Sequence, residues 1–464
     1  MGAPRFPLQV WSLLVTLTLP LSDEKVQICR NMKRRKFFNT ALPITATGFA
    51  VPTIDFSAAE SKNFSKVINP VDFGAKGDGV TDDTAALQEA LDALESGAMF
   101  LLPIGDFLVS ETLTIRGKTN VLFTGQGPGS KIIAGAPMQN LLHAEWPFSG
   151  SIIESLYLDA NSNANVALRV MGGVYVQLNR LDIFAPREIG IHGGPEDPED
   201  KCGPEIIITN SRLTGMVQPS PEADSSQIGI LIEKAWTDSH YDNLIIRGFT
   251  DCAMELRANS NLINKVHVYR YPANQYFSGL RLKGNENYLV QAYFDNAIDV
   301  GCEILGSNTT ILSSYILRIA LAFNNGKVAP GVGVRIGSKD KQVSNINVIN
   351  TSFVNHVPDT PQYAANKLTG IELVNGKNVV AYENQYDRTE FSDTRQAGTV
   401  EIEKGVDAKV VELQSLVKPQ NIQLTPTSRL TGNYWVSEVT DKSFTINFSE
   451  PQADTCSFDF LTRE

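Results

Sequence analysis

Two glutamates and an arginine are the residues whose spacing suggests chemistry most directly. Glu255, Arg281 and Glu303 each hold the third place of a short phrase, in Ala253-Met254-Glu255-Leu256, Gly279-Leu280-Arg281-Leu282 and Gly301-Cys302-Glu303-Ile304. The apolar residues on either side turn toward a core, so the charged side chains turn outward together. If the phrases stack as successive rungs, Glu255 and Glu303 lie two rungs apart, roughly 9 to 10 Å, near the upper limit for an inverting acid and base pair. Arg281 would stand between them and orient an anionic or hydroxyl-rich sugar. A glutamate flanked by arginines stays ionised and suits a base better than an acid.

The same phrase recurs along the chain. Its third-place residues, in order, are Arg169, His192, Leu231, Glu255, Arg281, Glu303, Arg335 and Glu372, and seven of the eight can carry charge. One reading is a ligand groove along the column, with Arg169, His192, Lys283 and Arg335 as substrate-binding residues. The other is a solvated ladder of opposite charges worth a few tenths of a kcal/mol per pair. His192 opens the loop Gly193–Asp200 and can act as general acid or base. Trp236 and Tyr241 lie in a cluster with His240 and can stack on sugar rings or fill coil corners. Asp295 and Asp299 add a second carboxylate pair or a calcium site, because calcium takes several oxygen ligands. Hydrolysis through Glu255 and Glu303 needs no cofactor. β-Elimination would have Arg281 or Lys283 remove a proton beside a uronate carboxyl, with a cation, calcium included, holding the developing charge.

The elements that position these residues follow from the repeat itself. Measured on the first apolar residue of each phrase, the intervals are 23, 39, 24, 26, 22, 32 and 37. A base period of 22 to 26 with insertions marks a solenoid, and alternation with period two makes each unit a strand. Further strand phrases, such as Asn243–Ile246, Lys265–Val268 and Asn345–Ile349, follow most of the first ones, with Asn and Gly at the corners. Two or three short strands per coil and no room for helices predict an all-β, right-handed parallel β-helix. The long insertions at 193–205, 218–227, 324–331 and 356–367 would wall its groove. A leucine-rich repeat is excluded because its LxxLxLxxN phrase is missing.

Composition sets the outer bounds. The chain has 464 residues, 40 Lys+Arg against 51 Asp+Glu and a formal net charge of −11, with a pI near 5.1. That balance excludes a nucleic-acid partner held by a basic face. Apolar residues at 42% supply a sizeable core. The five cysteines form no CxxC pair and have no histidine at metal-ligand spacing, so neither a zinc site nor a disulfide scaffold is indicated. Cys252 and Cys302 lie in apolar runs and read as small buried hydrophobes.

The segment Asn69-Pro70-Val71-Asp72-Phe73-Gly74-Ala75-Lys76-Gly77-Asp78-Gly79-Val80-Thr81-Asp82-Asp83-Thr84-Ala85-Ala86-Leu87-Gln88 resembles the opening segment of the pectate-lyase-like superfamily of parallel β-helices. With the coils, the resemblance spans about residues 67–400. It implies the fold, and it leaves polygalacturonase, rhamnogalacturonase, exo-glucanase, alginate epimerase and phage-tailspike functions open. Asp82, Asp83 or Thr84 can cap a helix running to about Ser96 whose Ala86, Leu87, Ala90, Leu91 and Leu94 cover the open coil end. The polygalacturonase phrases Asn-Thr-Asp, Gly-His-Gly and Arg-Ile-Lys, the epimerase phrase Tyr-Gly-Phe-Asp-Pro-His and the pectate lyase Asp-His signature are missing from the coils. The reaction is therefore not inherited from the resemblance.

The two ends read differently from the body. Leu8–Leu21 is short for a membrane span, and no other segment could cross one. Met32-Lys33-Arg34-Arg35-Lys36-Phe37-Phe38 resembles a twin-arginine export signal, so residues 1–59 are expected to be an export signal translated from Met32 and the protein to be periplasmic or extracellular. The β-helix is expected over 67–410. Residues 421–464 read as a small C-terminal β module, similar to those ending tailspikes, which would cap the helix, bind sugar or join copies into a trimer. The expected function is polysaccharide cleavage by a glycoside hydrolase, with a polysaccharide lyase or a non-catalytic glycan-binding adhesin as alternatives.

Overall fold

A computed structural model of the chain describes residues 66–195, 204–215, 227–269, 277–295, 299–319, 331–356, 368–390 and 393–463. The expected export signal with its expected start at Met32, and most of the four long insertions, lie outside the described residues. Among these residues the strands form a twenty-stranded and an eleven-stranded parallel sheet, followed by two three-stranded antiparallel sheets. The parallel part is a right-handed β-helix, as the repeat predicts.

One coil shows how the sequence is spent. The strand Cys252–Leu256 belongs to the eleven-stranded sheet, and Leu262–Tyr269 crosses the long sheet in two legs before the chain returns to Ser278–Leu282, one rung on. The two legs meet at a single residue in left-handed backbone, Lys265 at φ 52°. In register above and below it stand Ser155, Arg180, Asn210, Asn243, Gln291, Ser313, Asn350 and Glu383, all at φ 50–58°. A left-handed residue turns the chain sharply within one step, and Asn tolerates it best. Stacked amides add a hydrogen-bonded column, as Asn243 Nδ2 donates to Asn210 Oδ1 at 2.9 Å. At the other corner Asn345 Nδ2 donates to Asn308 Oδ1 at 2.8 Å and Asn378 Nδ2 to Asn345 Oδ1 at 3.0 Å.

Inside, the first apolar residues of the repeated phrases form one continuous column. Leu168, Ile191, Ile230, Met254, Leu280, Cys302, Val334 and Ile371 are in register and buried. Each such side chain stabilises the fold by about 1.5–3 kcal/mol. Cys252 and Cys302 are buried free thiols, and burial pushes the Cys252 thiol up to about 12. Both are inert packing residues.

The small residue that opens each phrase has a steric cause. A Cβ on Gly229 would stand 2.4 Å from the Ala253 carbonyl oxygen, one on Gly279 2.3 Å from that of Gly301, and one on Gly301 2.6 Å from that of Gly333. The next coil's backbone passes too close for a side chain.

The helix α1 covers Thr84–Asp92 and stops short of Ser96. It buries Leu87, Ala90 and Leu91, with Leu94 just beyond it. Asp82 accepts from the Thr84 amide at 3.0 Å, while Asp83 accepts from the Lys76 and Gly77 amides at 2.7 and 2.9 Å. The aspartates of this segment are turn and cap groups.

The parallel repeat ends earlier than residue 410. Ala397–Ile402 and Ala408–Glu412 pair antiparallel with Cys456–Arg463 and Ser443–Phe448, so they belong to the C-terminal module. Its core, including Ile402, Phe444, Ile446 and Phe458, is separate from that of the coils. Single-strand alternation cannot distinguish a parallel neighbour from an antiparallel one.

Substituting Gly301→Ala should destabilise the protein by about 1–3 kcal/mol through overpacking. Urea unfolding checks this, and an unchanged midpoint would remove the close-approach account of the small-residue column.

Candidate functional site

The outward column of the eleven-stranded sheet is the one the spacing predicts. Arg169, His192, Leu231, Glu255, Arg281, Glu303, Arg335 and Glu372 are paired rung to rung without a break. His143 and Thr114 continue it on the N-terminal side. Parallel register alone brings these residues together from positions more than 200 apart in the chain.

At its centre, Arg281 donates Nε to Glu303 at 2.9 Å, Nη1 to Glu255 at 2.9 Å and Nη2 to Asp251 at 3.1 Å. The other Glu255 oxygen accepts from Arg257 Nε and Lys283 Nζ, both at 2.7 Å. Arg257 reaches on to Glu233 at 3.0 Å, and Glu233 lies 3.1 Å from His192 Nε2. Arg335 joins Glu303, 3.6 Å away, to Glu372. Arg169 donates to the carbonyls of His192 and Gly194 at 3.1 and 2.7 Å.

Glu255 is 1% exposed, so its charge depends on its neighbours. Burial pushes its pKa up, but hydrogen bonds from Lys283, Arg281 and Arg257 outweigh burial and hold the carboxyl at about 2. Glu233 is also held below its usual range: its burial is outweighed by His192 and Arg257. Burial lowers the His143 pKa, with Glu145 opposing and Arg169 reinforcing, so this imidazole is neutral near pH 7.

These facts correct several expectations. Glu255 is ionised, as its arginine neighbours imply, but both its oxygens are held by Arg257, Arg281 and Lys283, so in this arrangement neither is free to act as the base of a pair with Glu303. Arg281, bound to three carboxylates, cannot serve as a base. Trp236 and Tyr241 are fully buried in the core and present no face to a sugar. Asp295 lies in the long sheet, whereas Asp299 precedes the eleven-stranded sheet's Val300–Ile304 and accepts from the Phe277 amide at 2.7 Å. They are not a pair, and among the described residues no group of three or more His, Cys, Asp or Glu is placed to hold a metal.

Beside the column lies a pocket of about 470 Å³ lined by Lys234, Arg257, Lys283, Leu305, Ser338 and Lys341. It carries four cations and no carboxylate. Lys283 is 39% exposed, and neither Lys234 nor Lys341 has an ion pair among the described residues. Only Lys283 was expected to bind ligand. Glu233 and Arg257 sit two residues beyond Leu231 and Glu255, so period-two alternation would have placed them on the same face; Lys341 comes from a turn and carries no such signal.

Comparison with known proteins places the fold in a family. The family described as "Rhamnogalacturonase A/epimerase, pectate lyase-like" matches residues 67–303. The chain belongs to this family. Mannuronan C5-epimerase AlgE5 of Azotobacter vinelandii is 46% identical over 74 residues, which is 14% of this chain and 7% of that protein. Rhamnogalacturonase A of Aspergillus niger is 33% identical over 157 residues, 32% of each chain. The family member described here thus spans a third or less of these relatives. Among solved structures, the Streptococcus pneumoniae surface protein and adhesin PfbA is similar at 14% identity and TM-score 0.49, covering 70% of this chain and 98% of that one.

Replacing Glu255 with Gln should cost about 3–5 kcal/mol at neutral pH, because three cations lose their shared anion in a buried site. The folded pKa lies below the unfolded one, so the Glu255 contribution is full above the unfolded value and is lost as pH falls. The stability gap between wild type and Glu255→Gln should therefore close between about pH 5 and pH 2 in denaturant titrations. A gap independent of pH would contradict the ionised assignment.

Proposed function

We propose that this family member is an exported, polysaccharide-active β-helix protein that takes an acidic glycan along the outer face of its eleven-stranded sheet. The observation that carries this reading is the pocket lined by Lys234, Arg257, Lys283 and Lys341. Carboxylates of the column lie beneath, neutralised by their own partners, which leaves the pocket rim positive and aimed at an anion. The relatives' names point to the same chemistry, since mannuronan and rhamnogalacturonan are the polymers they specify.

Within cleavage, β-elimination suits this face better than hydrolysis. Hydrolysis by the carboxylate pair needs a base free to activate water, and both Glu255 oxygens are held by Arg257, Arg281 and Lys283. Elimination passes the proton beside a uronate carboxylate to a base, breaks the neighbouring C–O bond as the double bond forms and leaves the departing oxygen to take a proton from water, while a cation at the carboxylate stabilises the developing charge. In this reading Lys283, as the neutral amine, is the base and Arg257 the cation, a role calcium would otherwise fill. The engagement of Glu233, Glu255 and Glu303 also favours a second reading, a glycan binder without turnover.

One preparation separates these readings. The protein from residue 60 onward is incubated with polygalacturonate and with mannuronan, following reducing ends and unsaturated-uronate absorbance together, with and without calcium. Both signals rising supports elimination, reducing ends alone restores hydrolysis, and binding without either signal supports the binder. Lys283→Gln combined with Lys341→Gln should weaken binding of the acidic polymer about tenfold, and binding should fall as salt rises. Equal affinity of wild type and double variant would sink the acidic-glycan reading. Light scattering of the same sample tests the trimer expected through the C-terminal module.

A further inference from the structure

The second leg of the long sheet has an outward face that the charged network does not reach. In register, His267, Tyr293 and Tyr315 form one column, and Arg247, Tyr269 and Asp295 form another two residues along. The rings of His267 and Tyr293 stack at 4.6 Å with 17° between planes, and Tyr315 follows at 5.4 Å. Tyr269 lies 5.2 Å from His267 on the other side, and Arg247 Nη1 donates to its hydroxyl at 2.6 Å. Beyond Tyr315 the next coil supplies Ser352, and the tyrosine is 37% exposed.

Two polar atoms in this cluster are closed off. Among the described residues His267 Nε2 and Asp295 Oδ1 are buried and have no hydrogen-bond partner. Leaving a buried donor or acceptor unpaired costs about 1–3 kcal/mol, more for a charged group. Native proteins keep few such atoms, and two on adjacent rungs, both on titratable side chains, call for a partner from outside. Burial lowers the His267 pKa against the opposing charge of Asp295, so the ring is neutral and Nε2 can either donate or accept.

We propose that this face is a saccharide site separate from the cationic pocket, where hydroxyls of an uncharged sugar pair with His267 Nε2 and Asp295 Oδ1 and the sugar ring rests on Tyr315. A sugar hydroxyl both donates and accepts, which matches a carboxylate oxygen beside a neutral imidazole. An anionic sugar would be repelled by Asp295. Both side chains are partly exposed, and the rotamer changes that bring their closed-off atoms to a ligand are common on binding.

The test is affinity electrophoresis of the full chain through gels containing galactan, xylan or mannan, with Asp295→Asn and His267→Gln as variants. Wild type should be retarded by at least one of the three. Each variant should bind that polymer about tenfold more weakly, while polygalacturonate binding is unchanged. Asp295→Asn preserves shape, so a melting temperature equal to wild type certifies its fold. Retardation equal to wild type in both variants overturns the site, and so does passage of wild type unretarded through all three gels. Neither outcome touches the acidic-glycan reading, which rests on different residues and a different polymer.

Discussion

Unbroken parallel register from coil to coil is the constraint on which everything else in this molecule depends. Each residue has as its neighbour, about 4.8 Å along the axis, the residue in the same place of the next coil. A column must therefore satisfy itself. Apolar residues stack on apolar ones, and the left-handed corner falls at one fixed place from Ser155 to Glu383. At the tightest approaches, Gly229, Gly279 and Gly301, only Gly fits, because the next coil's carbonyl oxygen stands 2.3–2.6 Å from where a Cβ would be.

The same rule shapes the electrostatics. Like charges on adjacent rungs repel, so the outward column of the eleven-stranded sheet alternates through Glu255, Arg281, Glu303, Arg335 and Glu372. Burial makes the alternation strict at Glu255, which no longer has water to stabilise its charge and takes three cationic donors instead. The excess of cations over nearby carboxylates then emerges at the rim, around Lys234, Lys283 and Lys341. A network that first stabilises the stack thereby leaves a positive pocket on its surface. The long sheet follows the same register but leaves His267 Nε2 and Asp295 Oδ1 without partners among the described residues, a departure from consistency of the kind that collects at functional sites.

What was legible in the sequence was whatever repeats. The phrases from Arg169 to Glu372 carried the strand type, the coil period and the identity of the outward column, because alternation within a strand and a shared place in each coil are both one-dimensional facts. The inward fate of Trp236 and Tyr241 was not legible. Both lie at or next to a corner, where the chain leaves period two and a side chain's direction depends on backbone angles such as φ 59° at Asp238. The boundary of the C-terminal module was hidden for a related reason: Ala397–Ile402 alternates like a coil strand and differs only in its distant partner, Cys456–Arg463.

The sequence by itself thus determined the fold, the column and the acidic balance of the chain, since these follow from residue type and spacing. Tertiary structure alone decided the accessibility of the groups and what holds them. The arginine neighbours already implied an ionised Glu255, but its burial and the engagement of both its oxygens come from three cations converging from its own and the next rung, and its pKa is set by that convergence. The cationic pocket is likewise a product of turns from successive coils meeting in space, with Lys234 and Lys341 more than 100 residues apart in the chain. Charge states and cavities are properties of neighbourhoods in three dimensions, and a linear pattern reports them only where the neighbourhood itself repeats.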